Sequence, residues 1–362
     1  MNRPETLPKK RWQVAPIVPD QLKQQLSHIN EVLLQILYNR GITNPASIQA
    51  FIEGHYLDSD DPFLLADMDR AVERIQQAYQ NEEQIVIYGD FDADGVTSTV
   101  LLTEALRGLG FERRQVRPYI PDRVDEGYGL NFDALTKIRE EYKADLVITV
   151  DCGIRSVAEV EHANQIGLDM ILTDHHSIGA KVPPALAVIN PKREDSAYPE
   201  KMLAGVGIAY KLAQALHHEL PSAADFNLSS LLDLVAVGTV ADIAPLIGEN
   251  RRLVSDGLKV LNTLQRPGIS ALAQITGVKA GRITAESIGF TLGPRINAAG
   301  RLDHAYSAAR LLATNNLLQA TQYAQELNDL NRRRQTLTTE LTERAETLIT
   351  DPEDHLLIAI DD

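Results

Sequence analysis

Gln84-Ile85-Val86-Ile87-Tyr88-Gly89-Asp90-Phe91-Asp92-Ala93-Asp94-Gly95-Val96-Thr97-Ser98 is the stretch on which the fold turns. Ile85 to Tyr88 is a short, unbroken apolar run, the pattern of a strand buried on both faces. An acidic loop with two glycines follows, and Val96 to Leu109 then reads as a helix. The same grammar recurs downstream. Apolar runs at Val116–Ile120, Leu146–Val150, Met170–Thr173 and Leu186–Ile189 are separated by helical stretches, of which Val96–Leu109 and Asn131–Tyr142 are the clearest. Strands of this kind alternating with helices predict an α/β fold, a parallel β-sheet flanked by helices.

Outside this core the chain changes character. Residues 1–80 read as an N-terminal cap segment, with helices over Gln21–Tyr38 and Asp67–Gln80. The sheet domain is expected over 81–248. After Ala204 the strands stop, and helices are expected at 205–220, 228–240 and 250–264. A helical extension covers 249–315, and a long polar connecting helix covers 316–350. His355 to Ile360 reads as one more strand within 351–362. A lone strand cannot bury itself, so it is expected to open a further, truncated domain.

The composition bounds the function. The 362 residues suggest about two domains, and 44% apolar against 23% charged residues is an ordinary globular balance. Aromatics are only 5%, so the core must be mostly aliphatic. No apolar run approaches a membrane span, and Lys9, Lys10 and Arg11 have no apolar segment behind them, so no membrane partner or secretory signal is expected. One cysteine, Cys152, excludes a disulfide framework and fits a reducing, cytoplasmic setting. Its acidic neighbours raise a thiol's pKa, so it reads as a small buried residue and not a nucleophile. A net charge of −15 argues against a surface that coats nucleic acid, though not against a nuclease with a local basic groove.

In an open parallel sheet, ligands sit beyond the carboxyl ends of the strands. Asp90, Asp92 and Asp94 follow the first strand, Asp151 the third, and Asp174-His175-His176 the fourth. Asp242 follows the apolar helix Leu231–Val240 after what reads as a flexible glycine, Gly238. So many carboxylates on one rim repel one another unless cations neutralise them. Carboxylates with imidazoles suit manganese, with magnesium as the usual substitute, and two ions about 3.5–4 Å apart are the arrangement used for phosphoester hydrolysis. An EF-hand loop also begins Asp-x-Asp-x-Asp-Gly. It requires a preceding helix and a glutamate at position twelve, whereas here a strand precedes and Leu101 occupies that position. His175 and His176 differ from the other seven histidines in following a strand directly beside an acid; one can ligate metal while the other meets a phosphate.

A second chemistry lies in Gly293-Pro294-Arg295-Ile296-Asn297-Ala298-Ala299-Gly300-Arg301-Leu302-Asp303. Arg295, Asn297 and Arg301 among small residues allow close approach to a phosphate, although a salt-bridged helix end is the competing reading. Arg123, in the glycine-bearing loop Pro121–Gly129, is a further phosphate candidate. Arg332-Arg333-Arg334 reads as a solvated helix face.

Asp174-His175-His176, taken with the Asp-x-Asp-x-Asp-Gly loop, Val150-Asp151-Cys152-Gly153 and Ala241-Asp242, resembles the DHH phosphoesterase superfamily. Within it, Tyr88 to Ser98 and Gly293 to Arg301 are similar to the RecJ group of single-stranded-DNA-specific exonucleases, and the likeness runs from about Arg11-Trp12 to the end. The resemblance implies a 5′→3′ exonuclease that releases 5′-mononucleotides from single-stranded DNA with two Mn2+ or Mg2+ ions, in repair and recombination alongside repair or replication proteins. By motif, Asp92, Asp94, Asp151, His175 and Asp242 become metal ligands, with Asp151 bridging. Asp90 is a ligand or stands just behind one. His176 holds or protonates the phosphate, so that Asp151, His176 and Asp90 carry the catalysis, while Arg295 and Arg123 grip phosphates near the 5′ end. Hydrolysis would be in-line, without a covalent enzyme intermediate.

One departure stands out. RecJ proteins continue into a domain with a GGGH-type motif and then an OB-fold, and this chain has no Gly-Gly pair. The implied expectation is metal binding with weak degradation of long DNA. Two alternatives remain open: another DHH phosphoesterase acting on short oligonucleotides, cyclic dinucleotides or pyrophosphate, and a non-catalytic replication scaffold of the same fold.

Overall fold

Five parallel strands form one sheet in the order β2-β1-β3-β4-β5, with β1 Ile85–Gly89, β2 Val116–Tyr119, β3 Leu146–Val150, β4 Asp169–Thr173 and β5 Ala187–Ile189. Each strand expected in the sheet domain is present. The structure is a computed structural model that describes residues 13–54, 60–122, 126–127, 129–221, 226–302 and 305–347. The expected strand at 355–360 and the segment 351–362 lie outside the described residues. The register sets Gly89 opposite Val150 and Val150 opposite Thr173, so the residues just beyond β1, β3 and β4 emerge side by side. Strand order reverses between β1 and β3, and such a switch point opens the crevice in which doubly wound sheets bind ligands.

The chain divides into two compact units, Met1–Asp58 and Ser59–Asp362. The first contains α1 (Asp20–Gln25), α2 (Glu31–Asn39) and α3 (Pro45–Glu53) around Val18, Leu22, Leu34, Leu37 and Ile48. The single helix expected over 21–38 is therefore two. Asn30 breaks it: its side chain accepts the N–H groups of Val32 and Leu33 and caps α2, the competition with helix continuation that makes asparagine a helix-starting residue.

In the second unit, α4 (Met68–Gln80) contributes a buried stripe of Met68, Ala71, Val72, Ile75 and Ala78 to the main core. The sequence groups this helix with the cap, yet it packs into the sheet unit, against β5 and a later helix. β1 supplies both faces. Ile85 and Ile87 point into the core shared with α4 and α5 (Ala93–Gly108), and Val86 and Tyr88 into the core built by α6 (Phe132–Glu140) and α7 (Val157–Gln165). This period-two division is why the strand is apolar throughout. α5 begins three residues earlier than the sequence suggests. Asp92 serves as its N-cap, accepting the N–H groups of Asp94 and Gly95, so half of the acidic loop is the helix's first turn.

α8 (Gly205–Glu219) and α9 (Leu232–Ala241) cover the face that carries α5. α9 is apolar all round because α5, α8 and α10 (Gly248–Leu261) enclose it. The extension continues through α11 (Pro267–Thr276), the short α12 (Ala285–Ser287), a π-helical turn at Ile288–Leu292, α13 (Gly293–Leu302) and α14 (Tyr306–Ala313). α15 (Leu317–Thr347) is the expected long helix; Ala320, Ala324, Leu327, Asn328 and Asn331 form its buried stripe. No helix among the described residues is long and apolar enough to cross a membrane.

Candidate metal centre

The carboxyl rim of the sheet collects its side chains from five elements. Asp90 leaves β1 buried, its Oδ1 accepting the Phe91 N–H at 2.8 Å. Asp94, in the first turn of α5, is fully buried against the start of α8: its Oδ2 accepts the Gly205 N–H at 2.7 Å and its Oδ1 the Val206 N–H at 2.9 Å. Those amides are free because they open a helix, and the helix dipole favours an anion there. Asp151 follows β3 with φ +63°, a left-handed backbone that costs of order 1 kcal/mol for a non-glycine residue and persists only where its surroundings enforce it.

Two glycines let these elements close up. A Cβ on Gly205 would lie 2.6 Å from Asp151 Oδ1, and one on Gly238 would lie 2.8 Å from Asp94 Oδ1. Gly238 sits inside α9, so it is a point of close approach and not the flexible hinge that the sequence suggests. Asp242 then stands at the C-terminal cap of α9.

Three trios of potential ligand atoms result among the described residues, of which Asp90–Asp92–Asp151 and Asp94–His175–Asp242 share no residue, each with its atoms within 4.8 Å of one another. His175 joins them: its Nε2 is 3.1 Å from Asp151 Oδ1 and 3.9 Å from Asp94 Oδ2, while its Nδ1 is 3.9 Å from Asp242 Oδ2. His176 also groups with Asp151 and His175, and its ring stands 4.5 Å from that of His175. Asp174, part of the motif but without a role assigned from the sequence, is the anchor of the loop. It accepts the Ile154 N–H on one oxygen, and the His176 N–H and Nδ1 on the other, the last at 2.8 Å.

Burial and mutual repulsion set the electrostatics. Burial, with the Asp92 charge adding, pushes the Asp90 carboxyl up to about 7. Asp242 is pushed up to about 6 by burial and then Asp92. Asp94 and Asp151 rise well above the carboxylate range for the same two reasons, burial first. Burial lowers His175 to about 4, which leaves its imidazole neutral and its lone pair available. His176 moves the other way, raised mainly by its hydrogen bond to Asp174. Burial alone would raise Asp174; the hydrogen bonds from His176 and Ile154 outweigh it and hold the carboxyl low. Burial also pushes the Cys152 thiol up, in keeping with an inert buried residue.

These residues fit a pair of divalent cations. Asp151 Oδ1 and His175 Nε2 are buried and find no hydrogen-bond partner, which is costly for polar atoms unless something else satisfies them. The donor set of carboxylate oxygens and one neutral imidazole suits manganese or magnesium.

The description "DHH family, N-terminal domain" matches residues 84–239, which contain Asp90 to Asp94, Asp151, His175 and His176. The chain is 41% identical over 340 residues to the single-stranded-DNA-specific exonuclease RecJ of Bacillus subtilis (strain 168), covering 93% of this chain and 42% of that protein. It is also similar to the crystal structure of exonuclease RecJ bound to manganese, with a TM-score of 0.69, 38% identity, and coverage of 77% of this chain and 69% of that one. The chain belongs to the RecJ family. RecJ from Thermus thermophilus in complex with Mn2+ superposes over 95% of this chain and 48% of its own, with a TM-score of 0.78 and 32% identity. The chain spans about half the length of the curated RecJ relatives it matches.

The remaining site residues of this RecJ-family chain divide unequally. Arg295 is held against α15, its Nε donating to Asn328 Oδ1 at 3.1 Å and its Nη1 to the Thr291 carbonyl at 2.6 Å; it joins neither trio. Asn297 accepts the Ala93 N–H at 2.7 Å, a cap supplied across space to the first residue of α5. Arg301 is exposed and lines a groove of about 590 Å3 with Asn297, Phe290, Ile243 and Arg334. The sequence suggests a solvated face for Arg334. It lines this groove instead, and its Nε is buried without a partner. Arg123 lies outside the described residues. The Gly205 and Val206 amides have no signal in the sequence beyond a glycine before an apolar helix.

Proposed function

We propose that this chain carries the hydrolytic half of a single-stranded-DNA-specific 5′→3′ exonuclease that releases 5′-mononucleotides with two Mn2+ or Mg2+ ions, in repair and recombination. Two acidic trios linked by His175 and Asp151, with an unpartnered donor atom on each of those two residues, are the observation that carries the reading. Asp90, Asp92 and Asp151 would hold one cation and Asp94, His175 and Asp242 the other, with Asp151 reaching both. Such a pair supplies an activated water and neutralises the charge that builds on the phosphate.

The chain's own residues do the rest. The α8 amides fix Asp94, and the Asp151 backbone strain is held by the packing of Gly205 against its carboxyl. Asp174 orients the His176 ring and raises its pKa through their hydrogen bond, which favours the half-exposed imidazole as a donor to a non-bridging phosphate oxygen or to the leaving group. Asp90, buried beside Asp92 in the first trio, completes the anionic cage. Asn297 holds the start of α5 with its oxygen, while Arg301 and Arg334 line the groove beside Asp242, where Arg334 Nε lacks a partner and the two guanidinium groups would meet the strand's phosphates. In this reading residues 81–248 form the DHH domain, 249–315 the phosphate-bearing extension and 316–350 the connector.

Incubating the chain with Mn2+ and short 5′-phosphorylated single strands tests this directly. Stepwise release of 5′-mononucleotides, with duplex left intact, is the expected result. Turnover of dinucleotides or pyrophosphate with none of longer single strands would overturn it in favour of another DHH chemistry.

A further inference from the structure

At the opposite end of α5 from the carboxylates lies a cavity of about 550 Å3, walled by α5, α10, α11 and α14. That volume suits a ligand of nucleotide size. Its deepest charge is already balanced: Arg266 bonds Asp233 Oδ2 at 2.6 Å and Glu104 Oε1 at 2.8 Å. Three further guanidinium groups line the same cavity, from Arg107, Arg113 and Arg310, and none of them forms an ion pair with a described residue. The cavity is thus left with an excess of positive charge.

Two of its lining groups are buried and unsatisfied. Thr103 Oγ1, on a residue only 4% exposed, has no hydrogen-bond partner, nor has Arg107 Nε. They sit one helical turn apart on α5, so they share a face. The contrast with the same helix is informative. Thr97 and Thr99 bond the carbonyls of Ala93 and Gly95 at 2.8 and 2.7 Å, the ordinary resort of a helical threonine, and Thr103 does not. A buried hydroxyl left unpaired is destabilising unless a ligand or water meets it. Across the cavity, Arg310 lies 5.6 Å over the Tyr306 ring, giving a flat surface beside a cation.

We infer that this cavity binds a small anion that carries a planar ring, of the class of a nucleoside monophosphate, with the anionic group held by Arg107 and Thr103 and the ring against Tyr306 and Arg310. The site is separate from the metal centre and stands whether or not the chain hydrolyses DNA.

Calorimetric titration of the EDTA-treated chain with dAMP, deoxyadenosine and inorganic phosphate tests it. Binding of dAMP is expected, weakened about tenfold or more when either the ring or the phosphate is missing. Thr103→Val and Arg107→Met should each weaken dAMP by about tenfold while leaving nuclease turnover unchanged. Thr103→Val removes an unpaired hydroxyl, so its melting temperature should hold or rise, which separates lost binding from lost folding. No heat with millimolar dAMP, equal binding of phosphate alone, or a dAMP affinity untouched by both substitutions would each overturn the inference.

Discussion

Two regions of the molecule bury charge, and they do it oppositely. Around α8 and α10, Lys211 is fully enclosed yet lies 2.5 Å from Glu249 Oε1, and Arg266 is clamped between Asp233 and Glu104. Each of these buried cations has its counter-charge in the chain. On the carboxyl rim of the sheet, Asp90, Asp92, Asp94, Asp151 and Asp242 crowd around a neutral His175 and a His176 whose proton already serves Asp174. The first kind of cluster is complete as folded, whereas the second waits for cations from outside. Charge balance, more than burial, separates a structural network from a working site.

The largest effect that tests this contrast is chemical. Asp151→Asn should reduce nuclease activity to background, read on a labelled single strand, while the metal-free protein melts no lower than the parent because a repelling charge has gone. A variant that loses activity and also unfolds would place Asp151 with the structural clusters. In the balanced region the same surgery should work in reverse. Arg266→Met leaves Asp233 and Glu104 without their partner and should cost about 3–5 kcal/mol in chemical denaturation.

Cations should distinguish the two regions without mutation. Mn2+ at about 100 times its dissociation constant is expected to add about 2.7 kcal/mol, lost again on chelation. With EDTA present, stability should fall as pH rises from about 4 to 7. The unfolded carboxyls have released their protons by then, while Asp242 and Asp90 hold theirs to about 6 and 7, so the folded state binds more protons across that window. A flat profile there would mean that burial and mutual repulsion do not raise the rim carboxyls. The smallest effect belongs to the bond that ties the extension to the site: Asn297→Ala should cost about 1 kcal/mol, as other lost helix caps do, with weaker Mn2+ binding as the accompanying readout.

The sheet was legible because buried parallel strands must be apolar for their whole length, and the acids were legible because each follows an apolar run, a strand for all but Asp242, which follows the apolar helix α9. Other parts were not, for identifiable reasons. The donors that fix Asp94 are main-chain amides, which carry no letter in the sequence. Gly238 reads as flexibility in a string but acts as missing volume between Thr97 and Asp94. α11 and α14 are short and give little periodic signal, and the break at Asn30 depends on a side chain choosing the backbone over solvent. Arg334 shares a charged triplet with two neighbours, and only the helix's rotation tells which one faces the groove.

The ligand set also has a kinetic meaning. Its members are drawn from the ends of β1, β3 and β4 and from α5 and α9, so each trio joins segments far apart along the polypeptide. Both trios come together only where β1, β3 and β4 are paired and α9 is packed against α5. Tight capture of manganese therefore reports completion: during refolding it should switch on last, making the ion a clock for the arrival of the native state.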